Sequence, residues 1–212
     1  MNPGSIHPIA YFSQWFARPI HVTDWSVLGV IEALNSHPMS HDENAQDYIM
    51  PLRRCREHAG RFRIYGENQD TFYCFVYTGD ETKNAPPVYF ESCLDFVDDY
   101  GLNPADVIEG DHVKVADTFS QFLWHILGHH ICVRMESWDG WAASVSGIVF
   151  NNLVTLDKRF ENPLGCEFPA GYSPYFSQDT ICIPDWGAAF LTPQAAKTFL
   201  DRFAPSVSRK WA

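Results

Sequence analysis

The residues whose types and spacing come closest to chemistry are His125-Ile126-Leu127-Gly128-His129-His130. On a helix His125 and His129 stand i, i+4, so one face presents both imidazoles, an arrangement that can hold a zinc ion. A hydrolytic site of the HExxH kind needs a glutamate directly after the first histidine, and Ile126 stands there instead. His112 or Asp117 would have to supply a third ligand, and nothing in the spacing demands either. Gly128 also weakens the helix between the two imidazoles. The expectation is therefore no metal and no cofactor, with histidines that are satisfied or solvent-facing near a helix end, where an imidazolium suits the helix dipole. A small His-dependent metalloenzyme is the alternative these residues leave open.

Other catalytic signatures do not occur. The chain has no GxSxG, no P-loop and no dinucleotide-binding glycine pattern. Its six cysteines, Cys55, Cys74, Cys93, Cys132, Cys166 and Cys182, form no CxxC pair, and several lie in apolar runs where a thiol behaves as a small hydrophobe. No cysteine is singled out as a nucleophile. The expected state is non-catalytic, with no catalytic residues and with free thiols in a reducing cytoplasm. The start, Met1-Asn2-Pro3-Gly4, lacks a charged leader followed by an apolar stretch, and no apolar run approaches membrane-spanning length.

Charge points to a partner. The 212 residues carry a formal net charge of -11, and Asp80 to Asp117 alone holds ten acidic residues against two lysines. Such a field repels phosphate backbones and draws basic partners, so neither nucleic acid nor membrane is expected. Glu91, Asp95, Asp98 and Asp99 fall in one short segment, with Tyr89, Phe90 and Tyr100 as neighbouring aromatic anchors. Carboxylates beside aromatics suit a protein interface. A solvated acidic helix, with Tyr89 a core tyrosine whose hydroxyl is satisfied at the edge, is the plainer reading of the same residues. The basic residues Arg53, Arg54, Arg56, Arg61 and Arg63 can pair internally with the acidic segment.

The elements that must position these groups can be read from periodicity. Thr23 is placed to cap a helix through Leu34, with Trp25, Leu28, Ile31 and Leu34 on one face. Asn35 to Asn44 reads as a loop, and Pro51 to His58 as a second helix ending at Gly60. Phe62, Ile64 and Tyr65 mark a strand, and Gly66 to Asp70 a turn. Thr71 to Tyr77 is apolar or aromatic at every position, the pattern of a central strand buried on both faces. Pro87 to Phe90 and His112 to Ala116 read as further strands. Thr118 caps a helix from Phe119 to Cys132, striped by Phe119, Phe122, Leu123, Ile126 and Leu127. Ser144 to Leu156 and Thr180 to Ile183 read as strands, and Thr192-Pro193 starts a last helix. Trp138, Trp141, Phe176 and Trp186 either complete the core or form a second contact surface. Helices mixed with antiparallel strands, without βαβ periodicity, define an α+β class.

With these segments placed, an ordered set of motifs stands out: Arg53 and Arg54 before a strand ending in Glu67-Asn68-Gln69, then an aromatic strand, then Pro86-Pro87-Val88-Tyr89, then a helix opening Ser120 to Leu123 with Phe122. In these motifs the chain resembles the SMI1/KNR4 family, also called the SUKH superfamily. The resemblance covers roughly residues 22–131 of a single domain spanning 1–212, leaving a C-terminal extension of about 135–212. The chain departs from the pattern at Asn84-Ala85, where an acidic residue is usual, and in lacking a Trp-Gly pair after Glu-Asn-Gln. The resemblance implies a mixed, mainly antiparallel sheet packed with helices. It also implies a bacterial immunity protein of the toxin-antitoxin kind, which neutralises a basic protein toxin by stoichiometric binding. A regulatory or scaffolding module of the same fold is the alternative. At the motif itself, Asn68 and Gln69 have amides suited to satisfying strand backbone, and the two prolines stiffen the entry to Tyr89.

Overall fold

A computed structural model describes residues 7–15, 18–37, 47–55, 59–67, 72–92, 113–134, 145–146, 162, 173–183 and 187–203. The chain is α+β, and all strand pairs among the described residues are antiparallel. It divides into two compact units, Ile20–Phe122 and a discontinuous one made of Met1–Pro19 with Leu123–Ala212.

The contiguous unit is built on a five-stranded sheet in the order β1-β2-β3-β4-β5. Its strands are β1 (Asp47–Ile49), β2 (Arg61–Glu67), β3 (Phe72–Tyr77), β4 (Val88–Ser92) and β5 (Val113–Ala116). Neighbours in sequence are neighbours in space, so the sheet is a meander. β3 lies at its centre, and Phe72 through Val76 are all buried. The run of aromatics on both alternating faces predicts that placement, and it is observed. A bulge between Arg63 and Tyr65 shifts the β2 register against β3. On one sheet face Tyr65, Cys74, Val88 and Phe90 are buried, with Phe122 edge-on to Tyr65 at 6.0 Å between ring centroids.

Two expectations in this unit are corrected. The first helix, α2 (Val27–Asn35), is capped by Ser26 rather than Thr23. Asp24 accepts hydrogen bonds from the Ser26 amide and hydroxyl, which turns the Ser26 oxygen to the Gly29 amide at 3.1 Å. The fold-back is so tight that a Cβ on Gly29 would stand 2.4 Å from the Asp24 carbonyl oxygen. Starting the helix three residues later moves its buried stripe to Val27, Val30, Ile31 and Leu34 and leaves Trp25 exposed. The helix expected from Pro51 is, over its described part, a single turn: the amides of Arg54 and Cys55 return to the Pro51 carbonyl. Residues 56–58 lie outside the described residues.

The second unit contains α1 (Pro8–Phe12), a short 3-10 turn at Ser13–Trp15, and a four-stranded sheet in the order β6-β9-β8-β7. The strands are β6 (Val145–Ser146), β7 (Tyr175–Phe176), β8 (Thr180–Ile183) and β9 (Gly187–Phe190), followed by α4 (Pro193–Phe203). Of the strand expected from Ser144, residues 145–146 are described. Thr192 caps α4 as its sequence implies, its hydroxyl accepting from the Ala195 amide at 3.1 Å. Ala195, Ala196, Phe199, Leu200 and Phe203 turn one face of α4 into a core with Cys182, Ala188 and Phe190. Phe176 is fully buried and completes an aromatic cluster with Tyr11, Phe12 and Trp124.

α3 (Phe119–Arg134) starts in the first unit and continues in the second. Thr118 and Gln121 form a reciprocal capping box, each side chain accepting the other's backbone amide at 3.2 and 3.1 Å. Every residue from Phe122 to Cys132 is buried, so the helix has no polar face there.

Candidate functional site

One face of the five-stranded sheet carries a set of aromatic and charged side chains in mutual contact. Directly paired positions of an antiparallel sheet share a face. The pairs Arg61 with Tyr77, Arg63 with Phe75, Phe75 with Tyr89, Tyr73 with Glu91, and Tyr89 with Lys114 therefore line up on one side. The floor is aromatic: Phe75 is fully buried and Tyr73 nearly so. The Arg63 guanidinium lies 3.9 Å from the Tyr73 ring centroid, and that of Arg61 lies 5.3 Å from Phe75. Flat guanidiniums bury their faces on rings while keeping their edges for hydrogen bonds.

Glu91 sits between the two arginines. Arg61 donates a hydrogen bond to Glu91 Oε1, while Arg63 Nη2 is 3.9 Å from Oε2, an ion pair beyond hydrogen-bonding reach. Among the described residues Arg63 Nε donates no hydrogen bond and Glu91 Oε2 accepts none, though both atoms are buried. The three side chains keep 17–21% of their surface. Beside them Tyr77 is 43% exposed and Tyr89 half-buried, their rings edge to face at 4.9 Å.

Several residues marked by the sequence meet here. Tyr89 and Glu91 share this face, but Glu91 spends its charge on Arg61 and Arg63. The internal pairing of these arginines with the acidic segment thus occurs at Glu91. Asp95, Asp98, Asp99 and Tyr100 lie outside the described residues, as do Asn68 and Gln69. Glu67 is buried at the end of β2; Pro86 and Val88 are buried, Pro87 is half-buried, and Phe122 and Leu123 are buried in α3. Sequence reasoning missed Arg63, Tyr73 and Tyr77 as parts of a site. Alternation within β2 and β3 puts Arg61 with Arg63 and Tyr73 with Tyr77; their convergence on Glu91 needs the strand pairing.

Of the two placements expected for the histidines, satisfied or solvent-facing, the second does not occur. His125, His129 and His130 are all buried, because α3 is apolar all round and its imidazoles go in with it. The rings of His125 and His129 lie 6.4 Å apart and 20° from parallel. Burial, with the neighbouring His129, holds His125 well below the usual imidazole range, so it is neutral at physiological pH. Among the described residues no three His, Cys, Asp or Glu side chains gather as a metal would need.

The described cysteines, Cys55, Cys74, Cys132 and Cys182, are all buried. Burial pushes the Cys55 thiol up to about 12 and raises those of Cys132 and Cys182, which makes them poor nucleophiles near neutrality. Among the described residues no helix is long and apolar enough to cross a membrane. No protein-family model, curated protein or solved structure matches this chain.

Proposed function

We propose that this chain is a non-catalytic binding protein of the SMI1/KNR4 type, an immunity protein that neutralises a protein toxin by stoichiometric occlusion in the cytoplasm. The observation that carries the reading is the pair Tyr77 and Tyr89, displayed side by side on the centre of a rigid sheet with Arg61, Arg63 and Glu91 around them. Tyrosine and arginine are the residues enriched where protein interfaces concentrate their energy. Fixed on a meander whose other face is core, they lose little freedom on binding. The ten carboxylic residues between Asp80 and Asp117 supply the second element, a field that speeds capture of a basic toxin.

The test is capture from the native cell's lysate at low salt, with identification of what is retained and a growth assay with the toxin it yields. A single basic toxin domain should be held, released as salt rises, and lost when Tyr77 and Tyr89 are both changed to alanine. Neutralisation of the toxin in the growth assay should fail with the same pair. Retention of a housekeeping protein instead would favour a regulatory or scaffolding module, and copurification of stoichiometric zinc lost in His125→Ala with His129→Ala would favour an enzyme.

A further inference from the structure

We propose that Arg61 and Arg63, laid over the aromatic floor of the five-stranded sheet, form a docking site for a carboxylate side chain presented by an acidic peptide segment of a protein partner. Two fixed cations converge on one anion among the described residues of this patch. Glu91 satisfies Arg61 by a hydrogen bond but reaches Arg63 only at 3.9 Å. A second carboxylate would complete the count. The guanidiniums already lie over Phe75 and Tyr73, at 5.3 and 3.9 Å from the ring centroids, so part of their freedom is given up before a ligand arrives. Tyr77 and Tyr89, exposed and half-buried at the border, offer ring edges to the apolar part of the segment and hydroxyls to its backbone.

Charge complementarity selects the class of occupant. A polyanion such as single-stranded nucleic acid would also suit arginines beside aromatics, but it would bring many phosphates into the field of a chain carrying -11. A peptide with one or two carboxylates meets the local positive excess with far less of that repulsion. The inference rests on the binding-protein reading only in taking the partner to be a protein. Its test uses a peptide in place of a toxin, so the two can fail separately.

The experiment is an NMR titration of the full chain with the blocked tetrapeptide acetyl-Leu-Glu-Glu-Leu-amide and, separately, its Gln-Gln counterpart, inorganic phosphate and a short oligothymidine. The glutamate peptide should give saturable shifts at the Arg61 and Arg63 guanidinium N–H groups and the Tyr77 and Tyr89 rings, and the glutamine peptide none. Arg63→Gln should weaken binding about tenfold, the worth of one charge-assisted hydrogen bond. Glu91→Gln removes the internal competitor and should tighten binding severalfold, a gain that a purely structural cluster cannot give. Tyr77→Ala, an exposed change, should weaken the peptide severalfold, and it carries the test if Glu91→Gln does not fold. Equal binding of both peptides, shifts mapping elsewhere or not saturating, or looser binding by a folded Glu91→Gln would overturn the proposal. So would preferential binding of oligothymidine or phosphate at the same residues.

Discussion

Replacing Gly128 by alanine sets two effects against each other. Alanine is the better helix former by about 1 kcal/mol, so propensity alone predicts a gain in the middle of α3. The structure predicts a loss. A Cβ at Gly128 would stand 2.6 Å from Phe176 Cζ, 2.9 Å from Cε1 and 3.0 Å from Pro174 Cγ. Carbon atoms are comfortable at about 3.5–4.0 Å, so the ring or the helix must yield by about 1 Å. Phe176 has nowhere to go: it is fully buried, with Trp124 at 5.0 Å, Phe12 at 5.8 Å and Tyr11 at 6.0 Å between ring centroids. Overpacking of this kind costs about 1–3 kcal/mol, which offsets the propensity gain and leaves a net loss of up to about 2 kcal/mol. Urea unfolding followed by tryptophan fluorescence measures it, as a midpoint lowered by up to about 1 M at a slope near 2 kcal/mol/M. Phe176→Leu, which shortens the ring, should cancel much of the loss in the double variant. A raised midpoint for Gly128→Ala, with no coupling to Phe176→Leu, would refute the reasoning.

Three further outcomes follow from the same geometry. The unfolded chain takes up a proton at His125 below pH 6.5 while the folded chain, with a depressed imidazole, does not; stability is therefore full above pH 6.5 and falls by about 1.4 kcal/mol per pH unit below it, until the folded group itself titrates. Urea midpoints at pH 7.5 and 5.5 should show that fall, and His125→Gln should flatten it; an unchanged slope would rule out His125 as the source. Thr118→Ala removes one half of the capping box and should cost about 1 kcal/mol by the same assay, with Thr118→Ser costing little. Arg61→Ala leaves Glu91 half-buried without its hydrogen-bond donor, so it should destabilise more than Glu91→Gln, which leaves arginines that still lie on their rings.

How much was legible depended on how local each signal was. The central strand read from Thr71 to Tyr77, the Thr118 cap and the Thr192-Pro193 start are written in a few adjacent residues; the strand is found over Phe72–Tyr77, its described part, and both caps are in place. Gly187-Ala188-Ala189-Phe190 has no β-branched residue and becomes a strand only because β8 pairs with it. β1, β7 and α1 are too short for periodicity to register. Thr23 and Ser26 are both capping residues; the choice fell to Asp24, whose carboxylate holds Ser26 in the capping position. The burial of the histidines had a visible cue, since Phe122 to Cys132 offers no polar face other than His125, His129 and His130 themselves. Of the candidate site, Tyr89 and the alternation of Arg61 with Arg63 were readable, whereas the convergence on Glu91 depends on two strand registers that distant residues set.

The discontinuous unit also sets a timetable for biosynthesis. Tyr11 gives its hydroxyl proton to the Ser177 carbonyl across 166 positions of chain, and Cys132 meets Ile181 across 49. At about 5–20 residues per second, the ribosome delivers α1 roughly 8–33 s before its partner strand exists, and the end of α3 roughly 2–10 s before. Through that interval Tyr11, Phe12 and Trp124 lack Phe176, the ring that packs against all three, while the meander from Ile20 to Phe122 is contiguous and can close as it emerges. A message truncated before Ser173 would release a chain whose aromatic cluster lacks that ring.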